Sequence, residues 1–521
     1  MRCGGLMKTV AQGFDYIVCG AGTAGCVVAA RLADQPDARV LLIEAGDHCA
    51  GPEVTDPAQW PANLGSARDW AFEGESNQHL DGRRLALSMG KGLGGGSNIN
   101  VMVWARGHQS DWDFFAAESG DAGWGYASVL DYYRRIESWH GHPDADRRGV
   151  SGPLYIAPAA APQPLALATL EAARRLGIPV FGSANGQMME GSGGAALTDL
   201  CIRNGRRASI YDAYIAPRRH CPNLTILPGA LVSRILLEGK RAIGVEAIVD
   251  GQCQRFYATS EVILSMGAVN TPKTLMQSGI GPEDELRVHQ IEPINVLPGV
   301  GQNHQDHVAF GCTWEYQRPL SIGSGGCEAT VYWKSDPRLD APDLLHCQLQ
   351  FPVPSPPEVG IAPPDHGWTM FAGLARPLSR GRLRLGGAGP MDRMRIEPHS
   401  LSAPEDMEAA LASVELCRTL GNSPAFDDLV KREVIPRQQA RRDMERFIRH
   451  SAVTYWHQSC TAKMGRDELS VVDHELRVYG IERLRIADAS IMPRITVGNT
   501  MAPCVVIGER AADLIMGTTA S

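Results

Sequence analysis

Gly20, Gly22 and Gly25 are spaced GxGxxG, and Glu44 follows nineteen residues after the last of them. Glycine permits a tight turn at the first position, lets backbone approach a pyrophosphate at the second, and lets helix and strand pack closely at the third. A carboxylate at Glu44 is placed to bind a ribose hydroxyl pair and would repel a 2′-phosphate. The sequence holds a second glycine-rich loop, Gly90-Lys91-Gly92-Leu93-Gly94-Gly95-Gly96-Ser97-Asn98-Ile99-Asn100. Its clustered glycines expose backbone N–H groups at little steric cost. It runs straight into an apolar stretch, which a solvated linker would seldom do. The chemistry these residues point to is dinucleotide binding, and the second loop selects FAD over NAD.

To position them, the chain needs a strand, a turn and a helix in that order. Phe14 to Gly20 reads as a strand, Ala24 to Ala33 as a helix and Ala38 to Ile43 as a second strand, a βαβ unit that opens a parallel sheet. Further strands are expected at Leu224 to Leu227, Val232 to Leu237, Gly244 to Val249, Glu261 to Ser265 and Arg485 to Ala487. Helices are expected over Pro404 to Leu420 and Val505 to Met516. The Pro-rich stretches Ala157 to Pro164 and Phe351 to Pro364 exclude continuous helix and read as domain crossings, cleft loops or plain surface loops.

Composition narrows the class. Of 521 residues, 44% are hydrophobic and 21% charged, which excludes disordered, collagen-like and disulfide-scaffold proteins. A net charge of −8 without a basic block argues against a nucleic-acid partner. The 13 cysteines are scattered without a CxxC pair, so neither a disulfide framework nor a metal site is expected, and reduced thiols fit a cytoplasmic protein. No run reaches the roughly 18 apolar residues of a membrane span. Met1 to Gly13 lacks the apolar core of a secretory signal, and Met7 is an alternative start.

Further motifs follow in order: Asp69-Trp70, Arg106-Gly107 with Asp111 and Asp113, Gly205 to Ser209, Asn223-Leu224, Val232, Gly267 to Pro272, Ser278 to Gly281, and Pro298 to His307. The C-terminal part supplies His457 to Thr461 with Met464-Gly465, Ile486 to Ser490, and Gly498-Asn499-Thr500. With the two glycine loops, these motifs make the chain resemble the glucose-methanol-choline (GMC) oxidoreductase family along nearly its whole length. The resemblance implies an α/β fold with a Rossmann-like FAD-binding domain assembled from residues 12–155, 205–308 and 470–521. Residues 156–204 and 309–469 would form a sheet-based α+β substrate domain covering the flavin. Matched residue by residue, it implies cofactor contacts for Gly20, Gly22, Gly25, Glu44, Trp70, Gly90, Gly94, Gly95, Ser97, Asn98, Asn100, Val103, Val232, Asp488, Asn499 and Thr500. Ile99 stands where some relatives carry a histidine bonded to the flavin, so FAD is expected to be non-covalent. Thr274 and His304 stand where the family pattern usually shows apolar residues.

His457, in Trp-His-x-x-Cys-Thr, resembles the family's catalytic histidine, whose near-neutral pKa suits it to take a hydroxyl proton. Asn499 stands where relatives carry histidine or asparagine and would bind the substrate oxygen or the flavin edge. Pro503 is expected in the pocket wall, and Arg318 beside an acidic ring hydroxyl of the substrate. His304, His307 and His450 read as structural. The spacing looks nearest to bacterial members that oxidise aromatic or pyridine methanols, which makes a small primary aromatic alcohol, with pyridoxine first, the expected substrate. Choline would want an aromatic cage with a carboxylate, and aromatic residues are only 6% of the chain. Without a long insertion or haem module, molecular oxygen is the favoured acceptor, giving hydrogen peroxide. The alternatives are a dehydrogenase using a quinone or other acceptor, a hydroxynitrile lyase on the same scaffold, and a plain NAD-linked dehydrogenase, which leaves the second glycine loop without a purpose. Oligomeric state is written in no motif.

Overall fold

In the computed structural model, which describes residues 8–9 and 13–517, the apolar run from Phe14 forms a strand whose last three residues are buried. The alternative starts Met1 and Met7 lie outside the described residues, as do residues 12 and 518–521. In chain order, the elements that place the site begin with β1 (Lys8–Thr9), β2 (Phe14–Cys19), α1 (Thr23–Ala33), β3 (Val40–Ile43), α2 (Gln109–Ser119) and β4 (Gly194–Leu197). They continue with β5 (Leu224–Leu227), β6 (Ala230–Glu238), β7 (Arg241–Val249), β8 (Gln252–Leu264) and α3 (Gly267–Gln277). The rest are β9 (Val308–Tyr316), β10 (Ala329–Trp333), β11 (Leu344–Leu349), β12 (Gly367–Leu374), α4 (Pro404–Gly421), β13 (Val430–Ile435), β14 (Ala452–Thr454), β15 (Leu484–Ile486) and α5 (Met501–Met516).

One sheet runs β5-β3-β2-β8-β7-β6, with β1 and β15 also paired to β8. The β2, β3, β5 and β15 pairings are parallel, whereas β6, β7 and the first half of β8 form an antiparallel meander. Val40 to Ile43 is buried throughout, as expected of a parallel strand covered on both faces. Gly25 is obligatory where α1 crosses β2, because a Cβ there would lie 1.9 Å from the Gly20 carbonyl oxygen.

The second sheet runs β13-β9-β12-β11-β10-β4, with β14 also paired to β9, and every pairing is antiparallel. All eight residues of β12 are buried, with α4 packed against the strand. Phe351 to Pro364 connects neighbouring strands β11 and β12, so it is a loop within this sheet rather than a domain crossing. Its prolines allow only the short 3₁₀ turn Pro357–Val359.

The final helix starts at Met501, four residues before the expected Val505. Pro503 hid this start, since proline looks like a breaker yet is tolerated in a first turn, where its missing N–H would be unpaired anyway. The pairing Val308↔Thr454 between β9 and β14 brings the end of the Pro298 to His307 motif beside another motif 150 residues away.

Candidate active site

The two glycine loops close on each other. Gly94 N donates to the Ala21 carbonyl at 2.7 Å, and Gly95, at φ +51°, sits so near the first loop that a Cβ would lie 2.7 Å from Gly22 Cα. Above them opens a cavity of about 780 Å³. Its lining includes Glu44 and Ala230 to Val232, then Gly20, Gly22, Thr23, Gly95 and Asp488, and also Val103, Tyr455, His457 and Asn499. Backbone glycines and the start of α1 offer N–H groups and the positive end of a helix dipole to an anion. This glycine cradle, with the Glu44 carboxylate on its lining, fits a dinucleotide such as FAD.

Of the residues expected to meet the cofactor, Gly20, Gly22, Glu44, Trp70, Gly90, Gly95, Asn100, Val103, Val232, Asp488, Asn499 and Thr500 line this cavity. Gly25, Gly94, Ser97 and Asn98 do not, which corrects the expectation of direct contact. Gly25 serves the helix crossing, while Ser97 Oγ donates to the Gly94 carbonyl at 2.7 Å and Asn98 Nδ2 to the Leu93 carbonyl at 2.5 Å, so both hold the loop from behind. Asn100 is held in turn by Arg207, whose Nη1 donates to its Oδ1 at 2.6 Å.

Glu44 accepts three backbone N–H groups, from Ala21, Gly46 and Gly92, each at 2.9 Å. Burial raises its carboxyl above the usual range, against the pull of those three bonds. Asp488 accepts from Gly267 N at 2.9 Å and Thr271 Oγ1 at 2.6 Å, which ties it to the N-terminus of α3. Burial raises its pKa as well.

Around His457, a chain of hydrogen bonds assigns the histidine tautomers. His307 Nε2 lies 3.1 Å from the Ala375 carbonyl, which can only accept, so Nε2 carries the hydrogen. Nδ1 of the neutral ring then accepts, and it lies 2.9 Å from His457 Nδ1, which must donate. His457 Nε2 is left with its lone pair toward the cavity, where it accepts a long hydrogen bond from Asn499 Nδ2 at 3.3 Å. Burial lowers both pKa values, that of His307 to about 4 and that of His457 well below the ordinary imidazole value, His307 adding to the latter shift. Both rings are neutral at pH 7. The backbone of His457 is anchored separately, its N–H donating to Asp306 Oδ1 at 2.8 Å.

Sequence reasoning missed His307, although it closes the quoted Pro298 to His307 motif; only strand pairing brings it to His457. It also missed the aromatic wall. Trp60, Phe371, Tyr455 and Trp456 line the cavity with Leu349 and Cys347. The Tyr455 ring is nearly parallel to His457 at 5.8 Å, and Trp60 packs on Trp456 at 6.4 Å.

Arg318 is not part of the site. It is exposed, lies two residues past the far end of β9, and is absent from the cavity lining. The strand extends about 25 Å from the His307 end, at about 3.3 Å per residue. Pro503 is buried in the first turn of α5 and does not line the cavity, whereas Met501 and Cys504 do. His450 is bonded to Asp81 and the Glu358 carbonyl, away from the cavity lining. His304 is buried with no hydrogen-bond partner for either ring nitrogen among the described residues. Among these residues no cluster suits a metal ion, and no helix is long and apolar enough to cross a membrane.

Comparison with known proteins gives a family. The N-terminal GMC oxidoreductase profile matches residues 14–309 and the C-terminal profile residues 377–508. An uncharacterized GMC-type oxidoreductase of Mycobacterium bovis is 38% identical, over 96% of this chain and 99% of its own length. Mitochondrial choline dehydrogenase of Homo sapiens is 37% identical, over 97% of this chain and 90% of its own. The crystal structure of pyridoxine 4-oxidase from Mesorbium loti superposes with a TM-score of 0.91 at 32% identity, over 98% of this chain and 100% of that one.

Proposed function

The chain belongs to the GMC oxidoreductase family of FAD-dependent alcohol oxidases and dehydrogenases, and from that premise we propose that it oxidises a small primary aromatic or heteroaromatic alcohol, pyridoxine-like, to the aldehyde. In this reading FAD is held without a covalent bond and molecular oxygen is the final acceptor. The observation that carries the reading is the unprotonated His457 Nε2, bonded only by the long contact to Asn499 Nδ2 among the described residues and set beside an aromatic wall.

When bound, FAD supplies the acceptor for the hydride that leaves the alcohol carbon. The chain's own residues handle the proton. His457 Nε2 takes it from the hydroxyl, and a base so placed is worth about 10²- to 10⁴-fold. The positive charge on the imidazole is shared through Nδ1–H with His307, while the Asn499 amide donates to the substrate oxygen without titrating. Trp60, Phe371, Tyr455 and Trp456 enclose the ring of the alcohol and exclude water.

Low aromatic content does not argue against a cationic substrate once four aromatic residues meet at one wall. The charge of the wall is the better discriminator. The carboxylates lining the cavity are Glu44, Glu73, Glu75, Asp392 and Asp488. Glu44 and Asp488 belong to the dinucleotide cradle, and Glu73 and Glu75 pair with the partly exposed Arg84. Glu73 follows Phe72 of the stacked Trp70–Phe72 pair, and among the described residues no hydrogen bond ties any of the five to Trp60, Phe371, Tyr455 or Trp456, where a quaternary ammonium would want a carboxylate. Likeness to pyridoxine 4-oxidase supports the heteroaromatic choice. The test is anaerobic flavin bleaching by pyridoxine, benzyl alcohol, hydroxymethylfurfural, glucose and choline, with peroxide measured on admitting oxygen. An aromatic alcohol is expected to bleach the flavin fastest; choline or glucose ahead by an order of magnitude overturns the substrate class.

A further inference from the structure

One buried carboxylate clamps both chain segments that aim the His457–Asn499 pair. Asp111, in the first turn of α2, is 0% exposed and does not line the cavity. Its Oδ2 accepts the backbone N–H groups of Val497 at 2.7 Å and His108 at 3.0 Å. Its Oδ1 accepts from Arg376 Nη2 at 2.7 Å and Arg494 Nη2 at 3.3 Å. These four bonds use the acceptor capacity of a carboxylate. Capping α2 requires only the bond to His108; the other three reach elsewhere.

Their destinations are specific. Val497 and Arg494 belong to the segment that ends at Asn499, with Gly498 at φ +95° between Val497 and Asn499. Arg376 directly follows Ala375, whose carbonyl receives the His307 Nε2–H at 3.1 Å. His307 in turn holds His457 at 2.9 Å. Asp111 therefore joins the support of the base to the support of the asparagine, two segments about 120 residues apart, and Ser110 backs the same clamp, its hydroxyl accepting from Arg376 at 2.6 Å and its carbonyl from Arg494 at 2.8 Å.

We propose that Asp111 is a positioning residue that sets His457 Nε2 and Asn499 in register toward the substrate hydroxyl. The proposal rests on the reading of His457 as proton acceptor. Misplacing a reacting group by about 1 Å can cost about 10²-fold in rate. A residue that only caps a helix would cost stability without changing the rate constant of the folded enzyme.

The test uses holoenzyme and whichever of pyridoxine, benzyl alcohol and choline bleaches the wild-type flavin fastest. In Asp111→Asn an amide replaces the carboxylate, so one side of the clamp faces N–H donors with an NH₂ group. The rate constant for anaerobic flavin reduction at saturating alcohol is expected to fall by about 10-fold or more, with the alcohol dissociation constant within about threefold of wild type. Asp121→Asn, which breaks the Arg510–Asp121 ion pair elsewhere, serves as the control for lost stability and is expected to stay within about twofold in rate. If Asp111→Asn does not fold, Arg376→Gln loosens the Ala375 side alone and is expected to act in the same direction. A folded Asp111→Asn or Arg376→Gln enzyme with the wild-type rate constant, or one slowed no more than Asp121→Asn, overturns the proposal. His457→Ala is run alongside: a wild-type rate there overturns the base itself, whereas a slow His457→Ala beside a fast Asp111→Asn overturns only the positioning role.

Discussion

Nδ1 of His307 and Nδ1 of His457 lie 2.9 Å apart, with the two rings nearly perpendicular at 87°. Because the other His307 nitrogen is committed to a carbonyl, this contact decides which nitrogen of His457 meets the cavity. A histidine free to choose its tautomer would present a lone pair there only part of the time.

His457→Ala removes that lone pair without touching the glycine cradle. The variant is expected to keep its FAD and its fold while flavin reduction by alcohol slows about 10²-fold or more. Stopped-flow absorbance under anaerobic conditions checks this. Bleaching near the wild-type rate would move the base elsewhere.

Asn499 bonds the proton acceptor but does not titrate, so Asn499→Ala is expected to slow reduction less than loss of His457 does. Asn499→His is expected to retain part of the activity, since imidazole can also donate to the substrate oxygen. Comparing the reduction rates of the three variants ranks the roles. A histidine variant with bound flavin and no activity argues against a shared donor role.

Ile99 lines the cavity and offers no nucleophile to the flavin. Acid precipitation is expected to release all yellow colour into the supernatant. Flavin carried down with the chain would refute non-covalent binding.

Gly95→Ala places a methyl group against Gly22 Cα at a residue already in the left-handed region. The purified variant is expected to be largely colourless, with a flavin-to-protein ratio well below that of wild type. A full complement of flavin would show that the two loops can separate without loss of the cradle.

His304 is held neutral by burial, which lowers its pKa to about 4. Between about 6.5 and 4 the unfolded chain takes up a proton that the folded chain refuses, so stability is full above that window and declines as pH falls through it. Because its ring nitrogens also lack partners, His304→Leu is expected to raise the melting temperature, and to raise it more at pH 5 than at pH 8. Thermal unfolding at both pH values checks the sign. His307 and His346, each also near pKa 4, are expected to leave a residual acid sensitivity.

Elements built from local chemistry could be read directly from the residues. The GxGxxG turn, its flanking strand and helix, and the second glycine loop were legible because backbone conformation and close approach leave few residue types possible. Short motifs singled out His457 and Asn499, and both line the cavity. Tertiary structure alone decided what depends on strand pairing and side-chain direction. It brought His307 to His457 through the pairing of β9 with β14, gathered Trp60, Phe371, Tyr455 and Trp456 into one wall, and turned Ser97 and Asn98 behind the loop they hold. It also left Arg318 exposed two residues beyond the end of β9, although Tyr316, the last residue of that strand, is buried. Contacts between residues more than a hundred positions apart leave no local pattern, because they arise from which segments pair and which faces are buried together.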